Sequence, residues 1–117
     1  MVHYRDLKAD LAREMRRVAQ FLDIDVPDAL FPQLVAAASF EEMRRVGDKL
    51  MPRVLKTFEG GAERFFYKGE NDRWRGVLSE DDLALYERKV KASLSPVCAA
   101  WLANGRAGTC DPRDAPD

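Results

Sequence analysis

A chain of 117 residues, 46% hydrophobic and 33% charged, has room for one soluble globular domain with a modest core, and is short for a complete two-substrate enzyme. A formal net charge of -1 gives no global pull toward nucleic acid or anionic membrane, so neither is an expected partner. No apolar run approaches the ~20 residues of a membrane span, and the opening Met-Val-His-Tyr-Arg-Asp lacks the basic region and apolar stretch of a secretory signal. Cys98 and Cys110 have neither metal-ligand spacing nor the density of a disulfide scaffold, so free thiols and a cytoplasmic location are expected.

The chain reads as mostly α, with four or five helices. Met1 to Tyr4, short and part-aromatic, suits the end of a buried strand, yet no partner strand follows; a strand without partners is a sign of truncation. A first helix is predicted from Asp10 as N-cap to about Leu22, with Leu11, Met15, Val18 and Leu22 as one apolar stripe and Arg13, Arg16 and Arg17 toward water. Pro27 is placed to open a second helix carrying Leu30, Leu34 and Ala37, with Pro32 in its first turns. Ser39 with Glu42 has the form of a capping box, starting a third helix through Phe40, Met43 and Val46 that ends at Gly47. Residues 47–78 have weak periodicity and a Gly60-Gly61 pair, and read as one long loop, functional or mobile. Ser79 with Asp82 forms a second cap, Leu78 and Leu83 fit a hydrophobic staple, and a helix follows through Tyr86, Val90 and Leu94. Ser95-Pro96 opens the last helix, with Trp101 on its apolar side, closing near Asn104-Gly105. Residues 1–105 thus form the structured segment, and 106–117, dominated by Gly, Pro, Asp and Arg, an expected disordered tail.

Few residues stand out chemically. His3, the sole histidine, beside a strand end, reads as structural rather than as a base. The acidic pairs Glu41-Glu42 and Asp81-Asp82 sit at helix starts, where capping and the helix dipole account for them. Arg13, Arg16, Arg17, Arg44 and Arg45 read as solvated helix faces, and no Walker-type phosphate loop occurs. Lys68-Gly69 can bind a phosphate, because the ammonium supplies charge and glycine lets a backbone N–H approach. An exposed lysine beside a glycine in a solvated loop is the commoner arrangement. Phe40 and Met43 can equally be plain core, with Ser39 only a cap.

Three segments together carry a family resemblance: Tyr4-Arg5-Asp6-Leu7-Lys8, Ser39-Phe40-Glu41-Glu42-Met43, and Phe66-Tyr67-Lys68-Gly69-Glu70-Asn71-Asp72-Arg73-Trp74. In order and spacing they resemble the C-terminal third of the sulfotransferase domain, closest to bacterial-type members, over residues 1 to about 104. The resemblance implies the C-terminal part of an α/β domain related to P-loop kinases, and a donor co-substrate, 3′-phosphoadenosine 5′-phosphosulfate. By it, Lys68 and the Gly69 backbone would hold the donor's 3′-phosphate, and Trp74 would anchor that loop. Tyr4, Ser39, Phe40 and Met43 would line the adenine pocket, with Ala38 where a threonine is often found. An aromatic face, a second ring and a thioether make a reasonable apolar slot for a purine.

Two positions depart from the family's Arg-Lys-Gly-x-x-Gly-x-Trp loop. Tyr67 stands where the arginine would be, removing a bidentate donor; Asp72 stands at the second glycine, adding a negative charge and a backbone demand. Arg64 or Arg73 is a candidate to compensate. The family's phosphosulfate loop and catalytic histidine lie upstream of the matching region, so no catalytic residue is nominated; the segment is expected to supply donor-nucleotide binding to an enzyme and to be inactive alone, and whether it binds nucleotide by itself stays open. Arg75-Gly76-Val77-Leu78-Ser79-Glu80 does not reproduce the pairing motif of cytosolic animal members, so pairing through it is not expected, and acceptor and oligomeric state stay open. Two rival readings are a helical binding module that has kept its pocket for another ligand, and a truncated product without independent function.

Overall fold

The computed structural model describes residues 1–109, apart from the side chains of 54–56. Cys110 and the greater part of the expected tail lie outside the described residues. Eight α-helices follow one another: α1 Tyr4–Ala9, α2 Leu11–Phe21, α3 Phe31–Ala37, α4 Phe40–Leu50, α5 Pro52–Thr57, α6 Gly61–Phe65, α7 Glu80–Ser93 and α8 Pro96–Asn104; a 3-10 helix, Gly105–Ala107, closes α8. The protein is therefore mostly helical, and among the described residues there is no strand. The strand expected at Met1–Tyr4 is corrected: residues 1–3 have no regular structure and Tyr4 opens α1. A strand is stabilised by its ladder, and no described segment offers one.

Local chemistry explains most boundaries. Ser79 accepts from the Asp82 N–H while the Asp82 carboxylate accepts from the Ser79 N–H, a complete capping box at α7. Ser95 accepts from the Cys98 N–H, and Pro96 takes the first turn of α8, where its missing donor costs nothing. At α4 the box is half made. Ser39 Oγ accepts from the Glu42 N–H at 3.2 Å, but the Glu42 carboxylate turns to the Arg45 guanidinium instead. That hydrogen bond, with the charge of Arg45, holds the Glu42 carboxyl below its ordinary range.

Three further expectations are revised. Pro27 opens a turn rather than a helix, with Leu30 and Phe31 donating back to its carbonyl, and α3 starts at Phe31. Gly47 does not stop α4, which runs on to Leu50; it lies where the Phe66 ring and Ala62 press against the helix. The 47–78 loop contains α5 and α6, six and five residues long, too short to show a helical period in sequence. Packing rather than propensity holds such short helices. Here Asp48 of α4 accepts the Ala62 N–H of α6 at 3.0 Å, and Ala62 is buried.

The described residues form two compact units, Leu11–Glu70 and, separately, Met1–Asp10 with the chain from Asn71 onward. In the second of these, α1 is clasped to the end of α8. His3 caps α1, its Nδ1 accepting from the Arg5 N–H at 3.1 Å, while Nε2 bonds the Leu102 carbonyl at 3.0 Å and the ring stands edge-on to Trp101. These two bonds assign the proton to Nε2 and a structural role to His3. Asp6, 3% exposed, accepts the Arg106 N–H through both carboxylate oxygens, at 3.0 and 3.2 Å. Gly105 turns with φ +63 directly against that carboxylate: a Cβ there would lie 2.5 Å from Asp6 Oδ1. The expected tail thus begins inside a hydrogen-bonded 3-10 turn.

In the Leu11–Glu70 unit, Glu14 is fully buried on α2 between Arg13 and Arg17, and Arg16 lies 4.1 Å over the Phe31 ring. Arg13 and Arg16 face water as expected, while Arg17 is half-buried; from these positions Arg13 and Arg17 flank the buried carboxylate and Arg16 covers an aromatic ring. Among the described residues the buried apolar side chains are Phe31 and Ala62 in this unit and Trp101 in the other, whereas Phe21 is 79% exposed.

Candidate nucleotide-phosphate site

The Leu11–Glu70 unit carries an open groove of about 820 Å³ lined by Arg44, Gly60, Glu63, Arg64, Tyr67 and Lys68. Each lining residue is placed by the contact of α4 with α6 just described. Arg44 projects from the second turn of α4, and its Nη2 donates to Glu63 Oε1 at 2.8 Å. Gly60, at φ +90, caps α6 and leaves room for the stem of Arg64: a Cβ on Gly60 would meet Arg64 Cβ at 3.2 Å. Beyond α6 the chain leaves the helix, and the Lys68 Nζ lies 5.3 Å from the centroid of the Tyr67 ring. Three cations and one carboxylate thus face an aqueous groove. Among the described residues Arg64 has no ion-pair partner, and the Arg44–Glu63 pair is solvent-exposed. Such a set suits an anion with several acceptor oxygens, because each guanidinium offers a planar fork and Lys68 a point charge.

The residues nominated from sequence are distributed as follows. Lys68 lines the groove. Gly69, beside it, adopts φ +61 with its open side against the Phe40 ring; a Cβ would lie 2.7 Å from Phe40 Cε2, so only glycine fits. Phe40 in turn meets Phe66 edge-on at 6.2 Å, so Lys68-Gly69 and the Ser-Phe segment are joined by contact. Ser39 spends its hydroxyl as an N-cap acceptor, and Met43 is half-buried on α4. Tyr4 belongs to the other unit, where it is exposed on the first turn of α1.

The stretch from Lys68 to Trp74 changes unit between Glu70 and Asn71. On the far side Asp72 holds a left-handed backbone, φ +60, the conformation a glycine would adopt without strain. Arg5 grips its carboxylate through one guanidinium nitrogen, at 2.8 and 3.0 Å. The two departures from the loop pattern thus have separate local answers, Arg5 for the charge of Asp72, and Tyr67 as a ring beside Lys68. Trp74, expected as an anchor, is 46% exposed and carries the Arg75 guanidinium 5.1 Å over its ring.

Arg5, Arg44, Glu63 and Gly60 were not singled out as site residues by the sequence pattern. Arg44 and Arg64 stand twenty positions apart, and only the packing of α6 on α4 brings them to one groove. No group of His, Cys, Asp and Glu among the described residues could hold a metal ion, and no described helix is long and apolar enough to cross a membrane.

Comparison with known proteins agrees with the motif pattern. The model of the sulfotransferase domain family matches residues 1–96. The chain belongs to the sulfotransferase domain family. It is 29% identical over 108 residues to a glycolipid sulfotransferase of Mycobacterium bovis, covering 92% of this chain and 33% of that protein. A glycolipid sulfotransferase of Mycobacterium tuberculosis aligns over the same shares. A luciferin sulfotransferase of Photinus pyralis is 29% identical over 97 residues, 79% of this chain and 26% of the relative. The chain spans about a third of the length of the mycobacterial relatives. No solved structure matches it.

Proposed function

We propose that this segment binds the nucleotide of the sulfuryl donor, 3′-phosphoadenosine 5′-phosphosulfate, in a protein that transfers the sulfuryl group to an alcohol or amine. The observation that carries the reading is Lys68: its side chain opens into a groove with two arginines, and its neighbour Gly69 is seated on the ring of Phe40. In the transfer the acceptor oxygen or nitrogen forms a bond to sulfur as the sulfur–oxygen bond to the 5′-phosphate breaks. The acceptor's proton is lost, and adenosine 3′,5′-bisphosphate leaves. The role assigned to these residues is binding and orientation: Lys68 and the Gly69 N–H at the 3′-phosphate, and Phe40 with Met43 toward the base. Ser39 serves by fixing the start of α4, and Tyr4 is assigned to the base on family grounds. The α/β architecture related to P-loop kinases and the identity of the acceptor belong to the whole protein. The glycolipid relatives make a lipid-linked sugar hydroxyl the first acceptor class to try with that whole protein.

The test is calorimetric titration of the chain with adenosine 3′,5′-bisphosphate, beside Lys68→Ala. Saturable binding that weakens about tenfold or more in the variant supports the assignment, since one charge-assisted phosphate contact contributes on that scale. A folded chain that shows no heat of binding overturns a nucleotide site on this segment.

A further inference from the structure

We infer that Arg64, together with Arg44 once it is released from Glu63, supplies the guanidinium that the Tyr67-Lys68-Gly69 segment lacks. The inference rests on the nucleotide reading above and concerns which of this chain's own side chains complete it. Tyr67 occupies the position before the lysine with a phenol, which offers one hydroxyl donor and no positive charge at neutral pH. A phosphate monoester dianion held only by Lys68 and the Gly69 N–H would still leave acceptor oxygens to water. The groove answers this from another element. Arg64, on the last turn of α6, faces the same space as Lys68, and among the described residues it has no carboxylate to neutralise it. Its stem is laid over Gly60, which leaves fewer rotamers to be lost when the head engages a ligand.

Arg44 is different because it is already occupied. Glu63 accepts its Nη2 at 2.8 Å, and both partners are largely solvent-exposed. An exposed pair of this kind is weakly held, so a dianion entering the groove competes with Glu63 for Arg44 on favourable terms. Glu63 is then an internal counter-ion, keeping the groove near neutral when empty and setting a threshold for weakly charged ligands. Arg73, the alternative source of compensation, belongs to the other compact unit, whereas Arg64 and Arg44 share one unit with Lys68.

The experiment titrates the full chain and the variants Arg64→Ala, Arg64→Lys, Glu63→Gln and Lys68→Ala with adenosine 3′,5′-bisphosphate and with adenosine 5′-monophosphate, which lacks the 3′-phosphate. Circular dichroism checks that each exposed substitution leaves the helices intact. For the bisphosphate we expect about tenfold weaker binding in Arg64→Ala and partial recovery in Arg64→Lys, because lysine restores charge but not the fork. Glu63→Gln is expected to bind about threefold more tightly, the scale of losing one exposed competitor. The monophosphate should be nearly indifferent to Arg64. If the bisphosphate binds, weakens in Lys68→Ala and is unchanged in Arg64→Ala, this inference fails while the nucleotide reading stands. If the unsubstituted chain does not bind it, both fail.

Discussion

The clasp between α1 and the end of α8 and the groove beside α6 use the same kinds of side chain in opposite ways. In the clasp, Asp6 is buried and both its oxygens are taken up by one backbone N–H, with the Arg106 guanidinium 4.0 Å away. In the groove, Arg44, Arg64 and Lys68 stand in water, and Glu63 is the carboxylate that shares it with them. Burying a charge without partners costs several kcal/mol, so the Asp6 carboxylate is spent on holding the clasp and is closed to a ligand. Exposed cations bear no such cost. They converge because the helices under them pack, and their unused donors are the binding capacity. Motif residues fall on both sides of this division: Arg5 and Asp6 of the opening segment hold the fold, whereas Lys68 faces the groove.

The comparison is sharpened most by Gly105→Ala. Its φ of +63 with ψ of -150 is a conformation reserved for glycine, and the added Cβ would push into the Asp6 carboxylate. Strain and the loss of the Asp6 bonds together should cost about 3 kcal/mol, read as a fall in the urea midpoint. A variant as stable as the parent would mean the clasp is not holding α8. Next, Asp48→Ala removes the acceptor of the Ala62 N–H and should cost about 1 kcal/mol. It deletes no lining charge, so weaker binding of adenosine 3′,5′-bisphosphate in this variant would tie affinity to the α4–α6 packing, and unaltered binding would uncouple the two.

Arg5 and Asp72 come third. Arg5→Ala should destabilise by roughly 0.5–1 kcal/mol, a modest value because both side chains are about a third exposed. Asp72→Gly should be close to neutral, since relief of the left-handed strain offsets the lost pair. In an Asp72→Gly background the Arg5 substitution should then have no effect; an additive double mutant would show that the pair is not coupled. The smallest effect is that of pH on α7. Hydrogen bonds from the Ser79 hydroxyl and N–H hold the Asp82 carboxyl below its ordinary 3.8. A depressed folded value stabilises above 3.8 and is lost as pH falls through the folded value. Helicity should therefore decline by a small step below pH 3.8 that Ser79→Ala diminishes. A decline unaffected by the substitution would place the titration elsewhere.

Much of the helical pattern was legible because its signals are local. Ser79 with Asp82, Ser95 with Pro96, and the apolar spacing after Asp10 each act within one or two turns, and the helices they mark are present. The family was legible too, from the order and spacing of three short segments, and the family model agrees over residues 1–96. Lys68 and Gly69 could be nominated, and Phe40 with them, because a motif names residues without needing to know what they touch.

What the sequence by itself determined, then, is where α2, α4, α7 and α8 begin and which family's motifs the chain carries, since both are written in near neighbours. Tertiary structure decided the rest. Only packing could stabilise α5 and α6, turn Gly47 from a helix stop into a contact with Phe66, and bury Glu14. It also turned Tyr4 from a strand end into the first residue of a helix. The groove itself is of this kind. Arg44, Arg64 and Lys68 become one site through the approach of two helices, and no property of any one segment encodes that approach.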